Sequence, residues 1–200
     1  MSSEVIDADP RLGPGALVLV VGPSGAGKDA LLSGARSALA GDPAFVFPTR
    51  VITRHSQAAE MHHPMSEYDF VEAARLGAFA LSWHAHNLRY GIPVAVDDHV
   101  RCGRNVAVNV SRTVVDAARR RYARAVVVLV DCPIRTRAER LAARGREGHD
   151  EILARLERAV DTFDHSVADV LIDNGGSLEV GIAAFIDVLK KLSRPLSPAL

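Results

Sequence analysis

Cysteine, lysine, aromatic residues and any surplus of charge are all scarce in this chain. Its 200 residues hold two cysteines, Cys102 and Cys132, thirty positions apart with no CxxC pair, so no disulfide framework is expected. Both flank strand-like runs and read as buried thiols. No apolar run approaches the roughly 18 residues of a membrane-spanning helix. The acidic start, residues 1–9, lacks a basic segment leading into an apolar one, so no secretory leader is expected and the cytoplasm is the expected location. Lys+Arg and Asp+Glu both number 24, giving a net charge of +0. General nucleic-acid binders carry a basic excess, so that class is disfavoured. A small anionic ligand is not.

What is present is an ordinary globular composition, 48% hydrophobic and 24% charged. That is enough apolar mass for one substantial core and excludes disorder as the main state. Lysine occurs only at Lys28, Lys190 and Lys191, and the remaining basic residues are arginines. The planar guanidinium suits bidentate phosphate contacts, although in bulk the arginine and alanine bias fits a GC-rich coding composition.

Along the chain, residues 16–21 form a continuous apolar run with β-branched residues, the pattern of a strand buried on both faces. Residues 28–40 follow with Leu31, Leu32, Ala35 and Leu39 at helical spacing. Residues 45–47 and 50–53 are short strand candidates, and the polar, histidine-bearing stretch 55–64 reads as a loop. Ser66 with Asp69 suits a helix N-terminus. Residues 79–84 and 89–90 read as strands around a turn. Asp97-Asp98 suits the cap of a short helix ending near Gly103. Further strands are expected at 105–110, 125–130 and 167–172, and helices at 111–124, 134–144, 150–162 and 178–192. Strands alternating with helices imply an α/β fold with a parallel sheet flanked by helices. Residues 16–49, 94–133 and 163–192 would form its core. Residues 50–93 would form an inserted lobe, and the arginine-rich residues 134–162 a mobile excursion.

The strongest motif is Gly22-Pro23-Ser24-Gly25-Ala26-Gly27-Lys28, which matches G-x-x-x-x-G-K between a buried strand and a helix. Its backbone N–H groups can converge on phosphates, aided by the helix N-terminus, and Lys28 can reach the β- and γ-phosphates. Asp29 follows where a hydroxyl residue would normally meet magnesium. Its carboxylate suits a direct or water-mediated Mg²⁺ contact. Equally, it suits the free N–H groups of a first helical turn.

Phosphoryl transfer needs its developing charge neutralised. Arg137, Arg140 and Arg144 share one helical face and Arg155 and Arg158 another, but interspersed glutamates also fit a salt-bridged surface. Arg50 and Arg54 lie in the inserted lobe, where either could hold an acceptor phosphate; Arg89, Arg104 and Arg112 are further candidates. The histidines lack carboxylate or cysteine partners at metal spacing, and contacts from His84 or His86 to substrate fit better.

These motifs resemble the guanylate-kinase-like nucleoside monophosphate kinases over about residues 16–190. The likeness rests on GPSGAGK at 22–28, TR at 53–54, RLAARGRE at 140–147 with ILARLERA at 152–159, and DVLIDNGG at 169–176. It implies a P-loop kinase fold with an acceptor-binding lobe and a lid. It also implies ATP and Mg²⁺, lid arginines Arg140, Arg144 and Arg155, and Asn174 beside the adenine. Within that family the sequence is more similar to the ribose 1,5-bisphosphate phosphokinases. This likeness rests on Asp29, RVITR at 50–54, LSWHAHNLRYGIP at 81–93 and NVAVNVSR at 105–112. Trp83, His84, His86 and Arg89 stand in the lobe, only Tyr90-Gly91 keeps the guanylate pattern, and Asn109-Val110-Ser111 lacks its carboxylates. A guanine there would leave buried polar groups unpaired. The resemblance therefore implies conversion of ribose 1,5-bisphosphate to 5-phosphoribosyl 1-diphosphate in phosphonate breakdown, with a small phosphorylated molecule as partner. Neither nucleic acid nor membrane is expected, and the chain would be a monomer or homodimer. The alternatives are a guanylate kinase and a non-catalytic binding module, the latter disfavoured by the intact Lys28.

Overall fold

The computed structural model describes residues 10–54, 62–143 and 165–193. Its main sheet contains β1 (Leu17–Val21), β2 (Phe45–Val46), β7 (Asn105–Asn109), β8 (Ala125–Asp131) and β9 (Val170–Asp173), in the order β2-β7-β1-β8-β9. All four pairings are parallel. Central β1 is wholly buried, which explains its unbroken apolar run. Leu17, Leu19 and Val21 face one core layer, and Val18 and Val20 face the other.

The first layer is closed by α3 (Val96–Arg101) and α4 (Val115–Arg121), the second by α1 (Lys28–Ala38) and α6 (Leu178–Leu192). α1 buries Leu31, Leu32 and Ala35, and α6 buries Phe185 and Leu189. Each such Leu or Phe contributes about 1.5–3 kcal/mol on removal from water. Gly34 lets α1 approach α6, because a Cβ there would strike Ile182. The connection leaving β1 runs towards β2, whereas that leaving β7 runs the opposite way towards β8. Such a divergence opens a crevice at the carboxyl ends of parallel strands, and the phosphate-loop motif sits at the end of β1.

Residues 50–93 build a second sheet, ordered β4-β3-β6-β5. Its strands are β3 (Arg50–Ile52), β4 (His62–Pro64), β5 (Phe79–Ala85) and β6 (Leu88–Pro93), with α2 (Glu67–Arg75) between β4 and β5. The β5–β6 hairpin turns through His86 and Asn87, whose φ angles of 51° and 59° match the paired positive φ of a type I′ turn. Ser66 caps α2 as expected, its Oγ accepting from Asp69 N at 3.0 Å.

Several local expectations need correction. Residues 62–64 are a strand on the edge of the lobe sheet, not loop: they pair in parallel with β3. Asp97 and Asp98 do not cap α3, whose N-cap is Ala95; both lie in its first turn. Asp97 is buried, and its carboxylate accepts from Tyr122 Oη at 2.6 Å and from the Arg121 guanidinium. Burial is the main reason that the Tyr122 hydroxyl is held well above its ordinary pKa. Cys132 is buried, but Cys102 is exposed because it closes α3 in a surface turn. The helix expected at 111–124 opens as a 3-10 turn, Arg112–Val114, before α4. No helix among the described residues is long and apolar enough to cross a membrane.

Candidate active site

The phosphate loop joins β1 to α1, and its glycines are required by backbone geometry. Gly22 and Gly25 have φ angles of 146° and 83°. A Cβ on Gly22 would strike the Val130 carbonyl on β8, and one on Gly25 would lie 2.9 Å from the Arg137 carbonyl. Arg137 belongs to α5 (Ile134–Ala142). The loop is thus pressed directly onto its neighbours, a fit open only to residues without side chains. Lys28 Nζ donates to the carbonyls of Gly22 and Pro23 at 2.7 and 2.9 Å. It therefore arches over the loop, where an ammonium can meet phosphate oxygens.

In front of the loop lies a cleft of two adjoining cavities, about 350 and 870 Å³. The smaller one reaches from the loop to Trp83, Tyr90 and Arg112; the larger one continues under the lobe to Arg54. Arg50, His86, Tyr90 and Asp29 line both. Trp83 and Tyr90 stack across the hairpin with ring centroids 5.2 Å apart and planes 4° from parallel. The Arg50 guanidinium lies 5.8 Å from the Tyr90 ring centroid, within cation–π range. Opposite the loop, the cleft is therefore an arginine-bearing wall with an aromatic floor.

Asp29 sits where the two walls meet. Its Oδ1 accepts from Asn109 Nδ2 at 2.6 Å, and its Oδ2 lies 3.7 Å from Arg50 Nη2. Asn109 ends β7, so one carboxylate links α1, the main sheet and the lobe. No cluster of three or more His, Cys, Asp or Glu residues suited to a metal exists among the described residues. One carboxylate with substrate phosphates is nevertheless a normal donor set for Mg²⁺. Asp29 is a hard oxygen donor whose side chain is largely exposed in the cleft, so it fits such an ion.

His84 and Arg89 line neither cavity. Alternation along the hairpin turns Trp83, Ala85, Leu88 and Tyr90 to the cleft, placing His84 and Arg89 on its outer side. Arg89 instead pairs with Glu67 on α2. That hydrogen bond is the main reason the Glu67 carboxyl is held below its ordinary pKa.

Arg140 and Asn174 also turn away from the cleft. Arg140 Nη2 donates to the Asn174 carbonyl at 2.9 Å, and Asn174 Nδ2 donates to the Ala26 carbonyl at 2.7 Å. Asn174 is therefore packed behind the phosphate loop, and its side chain does not form an open face for a base. Its buried Oδ1 has no hydrogen-bond partner among the described residues, a cost of about 1–3 kcal/mol. Arg144 and Arg155 lie outside the described residues. The roles of Asn109 and Asn174 as partners of Asp29 and of the loop carry no signal in sequence spacing.

A parallel sheet with a glycine-rich phosphate loop at the end of its central strand, and a second small sheet facing that loop, defines a guanylate-kinase-like P-loop kinase fold. The comparison with solved structures agrees. A guanylate kinase from Anaplasma phagocytophilum superposes with a TM-score of 0.63 over 92% of this chain and 89% of that one, at 16% identity. No family model matches the chain. Curated relatives are far more similar in sequence. The ribose 1,5-bisphosphate phosphokinase PhnN of Rhodopseudomonas palustris is 48% identical over 165 residues, covering 82% of this chain and 83% of that protein. Its namesake in Bradyrhizobium diazoefficiens is 46% identical over 182 residues, 91% of each chain. A bifunctional ribose 1,5-bisphosphokinase-thymidine phosphorylase of Cupriavidus necator is 44% identical over 181 residues, which are 90% of this chain but 30% of that longer protein. The chain belongs to the ribose 1,5-bisphosphate phosphokinase PhnN family.

Proposed function

We propose that this chain transfers the γ-phosphoryl group of ATP to the 1-phosphate of ribose 1,5-bisphosphate, giving 5-phosphoribosyl 1-diphosphate and ADP. Membership in the PhnN family carries this reading, and the two-walled cleft supports it. An acceptor phosphate oxygen attacks the γ-phosphorus, the bond to the ADP oxygen breaks, and ADP leaves with that electron pair.

The acceptor oxygen is already anionic, so the reaction requires no general base. Asp29 is the one carboxylate among the described cleft-lining residues, and it is held by Asn109. Catalysis then rests on alignment and charge neutralisation. The loop N–H groups and Lys28 hold the nucleotide phosphates. Arg50 and Arg54, both on the larger cavity, hold the acceptor. Trp83 and Tyr90 offer a flat surface to the apolar face of a sugar, and His86 can donate to its hydroxyl or phosphate groups. Arg144 and Arg155 bring further positive charge from the lid segment. Asp29, together with the ATP phosphates, would hold a magnesium ion, which would supply charge neutralisation at the phosphates when bound. The setting is phosphonate breakdown, with the enzyme in the cytoplasm and acting as a monomer or homodimer.

The test is to incubate the protein with ATP-Mg and ribose 1,5-bisphosphate and follow phosphorus resonances. The expected result is a new diphosphate pair on the sugar, appearing in step with ADP. ADP without that pair would mean hydrolysis and would overturn the proposal.

A further inference from the structure

The rear of the phosphate loop carries a second set of contacts. Asn174 follows β9, is 1% exposed, and is pinned at both ends of its backbone. Its N–H donates to the Asp131 carbonyl at 2.7 Å, and its carbonyl accepts from Arg140 Nη2 at 2.9 Å. The side-chain amide then reaches the Ala26 carbonyl through Nδ2 at 2.7 Å. Arg140 Nη1 approaches the same carbonyl at 3.5 Å. The amide lies between two glycines, and a Cβ on either Gly27 or Gly181 would collide with it. Nδ2 must face Ala26, because the opposite orientation would set two carbonyl-type oxygens against each other.

The consequence follows from peptide geometry. The Ala26–Gly27 peptide is trans, so its C=O and N–H point in opposite directions. With the carbonyl held inward by Asn174, the Gly27 N–H is aimed outward, and Gly27 lines the cleft. Gly27 has a φ of 94° and, as glycine, accepts either sign of φ. Its own sterics therefore do not stop the peptide from flipping. We propose that Asn174 is a positioning residue for the nucleotide: it locks the Ala26–Gly27 peptide so that the Gly27 N–H meets phosphate, and Arg140 holds Asn174 in place. The Oδ1 has no hydrogen-bond partner among the described residues because the other end of the amide is needed at Ala26.

This inference rests on the loop being the ATP cradle. The test measures binding of the non-hydrolysable analogue AMP-PNP with magnesium by calorimetry, together with both Michaelis constants and the melting temperature, for Asn174→Ser and Arg140→Lys. For Asn174→Ser, AMP-PNP should bind about three- to tenfold more weakly, with KM for ATP raised alike and KM for the acceptor changed less than about twofold. Arg140→Lys should move the same values in the same direction by less. A folded Asn174→Ser that binds AMP-PNP like the unaltered chain, or that raises both KM values equally, would overturn the proposal. Should that variant not fold, the unaltered chain supplies the test through the scalar coupling between Asn174 Nδ2 and the Ala26 carbonyl carbon. The coupling should be present with and without AMP-PNP, and its absence in the bound state would overturn the proposal. Failure of the unaltered chain to bind AMP-PNP would instead overturn the ATP reading itself.

Discussion

The two walls of the cleft are built by different means. The wall proposed for the nucleotide is mostly backbone: glycines pressed against Val130 and Arg137, and N–H groups at the start of α1. The wall proposed for the acceptor is mostly side chain: Arg50 beside Tyr90, Tyr90 on Trp83, and Arg54 just past β3, all carried by the small sheet and its adjoining loop. A backbone cradle tolerates few substitutions, because each residue is fixed by sterics and not by its functional group. A side-chain wall can change its ligand by exchanging two or three residues while the sheet beneath stays the same. The difference gives the two walls different sensitivities to substitution. It also separates the expected effects of substitution into those on ATP and those on the acceptor.

The largest effect is expected on the phosphate-loop wall. Lys28→Met should lower turnover by about 10³-fold, as loss of a charge-stabilising donor does. Acceptor binding measured without nucleotide should stay unchanged; full transfer by this variant would contradict the kinase reading. On the acceptor wall, Arg50→Ala should raise KM for the acceptor about 10- to 100-fold, the range for a hydrogen bond to a charged group, while KM for ATP moves less than about twofold. Equal changes in both constants would erase the distinction between the walls. Trp83→Ala should cost about three- to tenfold in kcat/KM for the acceptor, through loss of the stack that orders Tyr90. A matching loss in nucleotide affinity would place Trp83 on the wrong wall.

The smallest effect concerns the pH stability of the lobe. Glu67 is held below its ordinary value mainly by its hydrogen bond with Arg89. A depressed carboxylate contributes stability that is fully present above the unfolded value, about 4.3, and is lost as pH falls through the folded value. Acid melting should therefore show a small lobe component below that pH, and Glu67→Gln should remove it. An unchanged acid profile in the variant would separate the Glu67–Arg89 pair from lobe stability. The pair is exposed, so the effect is slight.

The same division explains what was legible in the sequence. The buried central strand, the phosphate loop, the Ser66 cap and the β5–β6 hairpin each announce themselves through local chemistry: an apolar run, spaced glycines, a hydroxyl before a helix, a short turn. The parallel sheet follows from the alternation of strands and helices. Residues 62–64 were illegible as a strand because two histidines and a proline pair only with a partner twelve positions earlier. Asp97 reads as a helix cap in sequence, yet its partners Arg121 and Tyr122 come from another helix end and draw it inward. On the acceptor side, residue types pointed to the hairpin, but strand alternation decides that Trp83 and Tyr90 face the cleft while His84 and Arg89 do not. Asn109 and Asn174 act on Asp29 and Ala26 across 80 and 148 positions, a distance that no local pattern spans.

The most direct measurement compares kcat/KM for ribose 1,5-bisphosphate and for GMP under saturating ATP-Mg. An acceptor wall of Arg50, Arg54, Trp83 and Tyr90 predicts efficient formation of 5-phosphoribosyl 1-diphosphate and little GDP. Rapid GDP formation with no turnover of the sugar bisphosphate would contradict it.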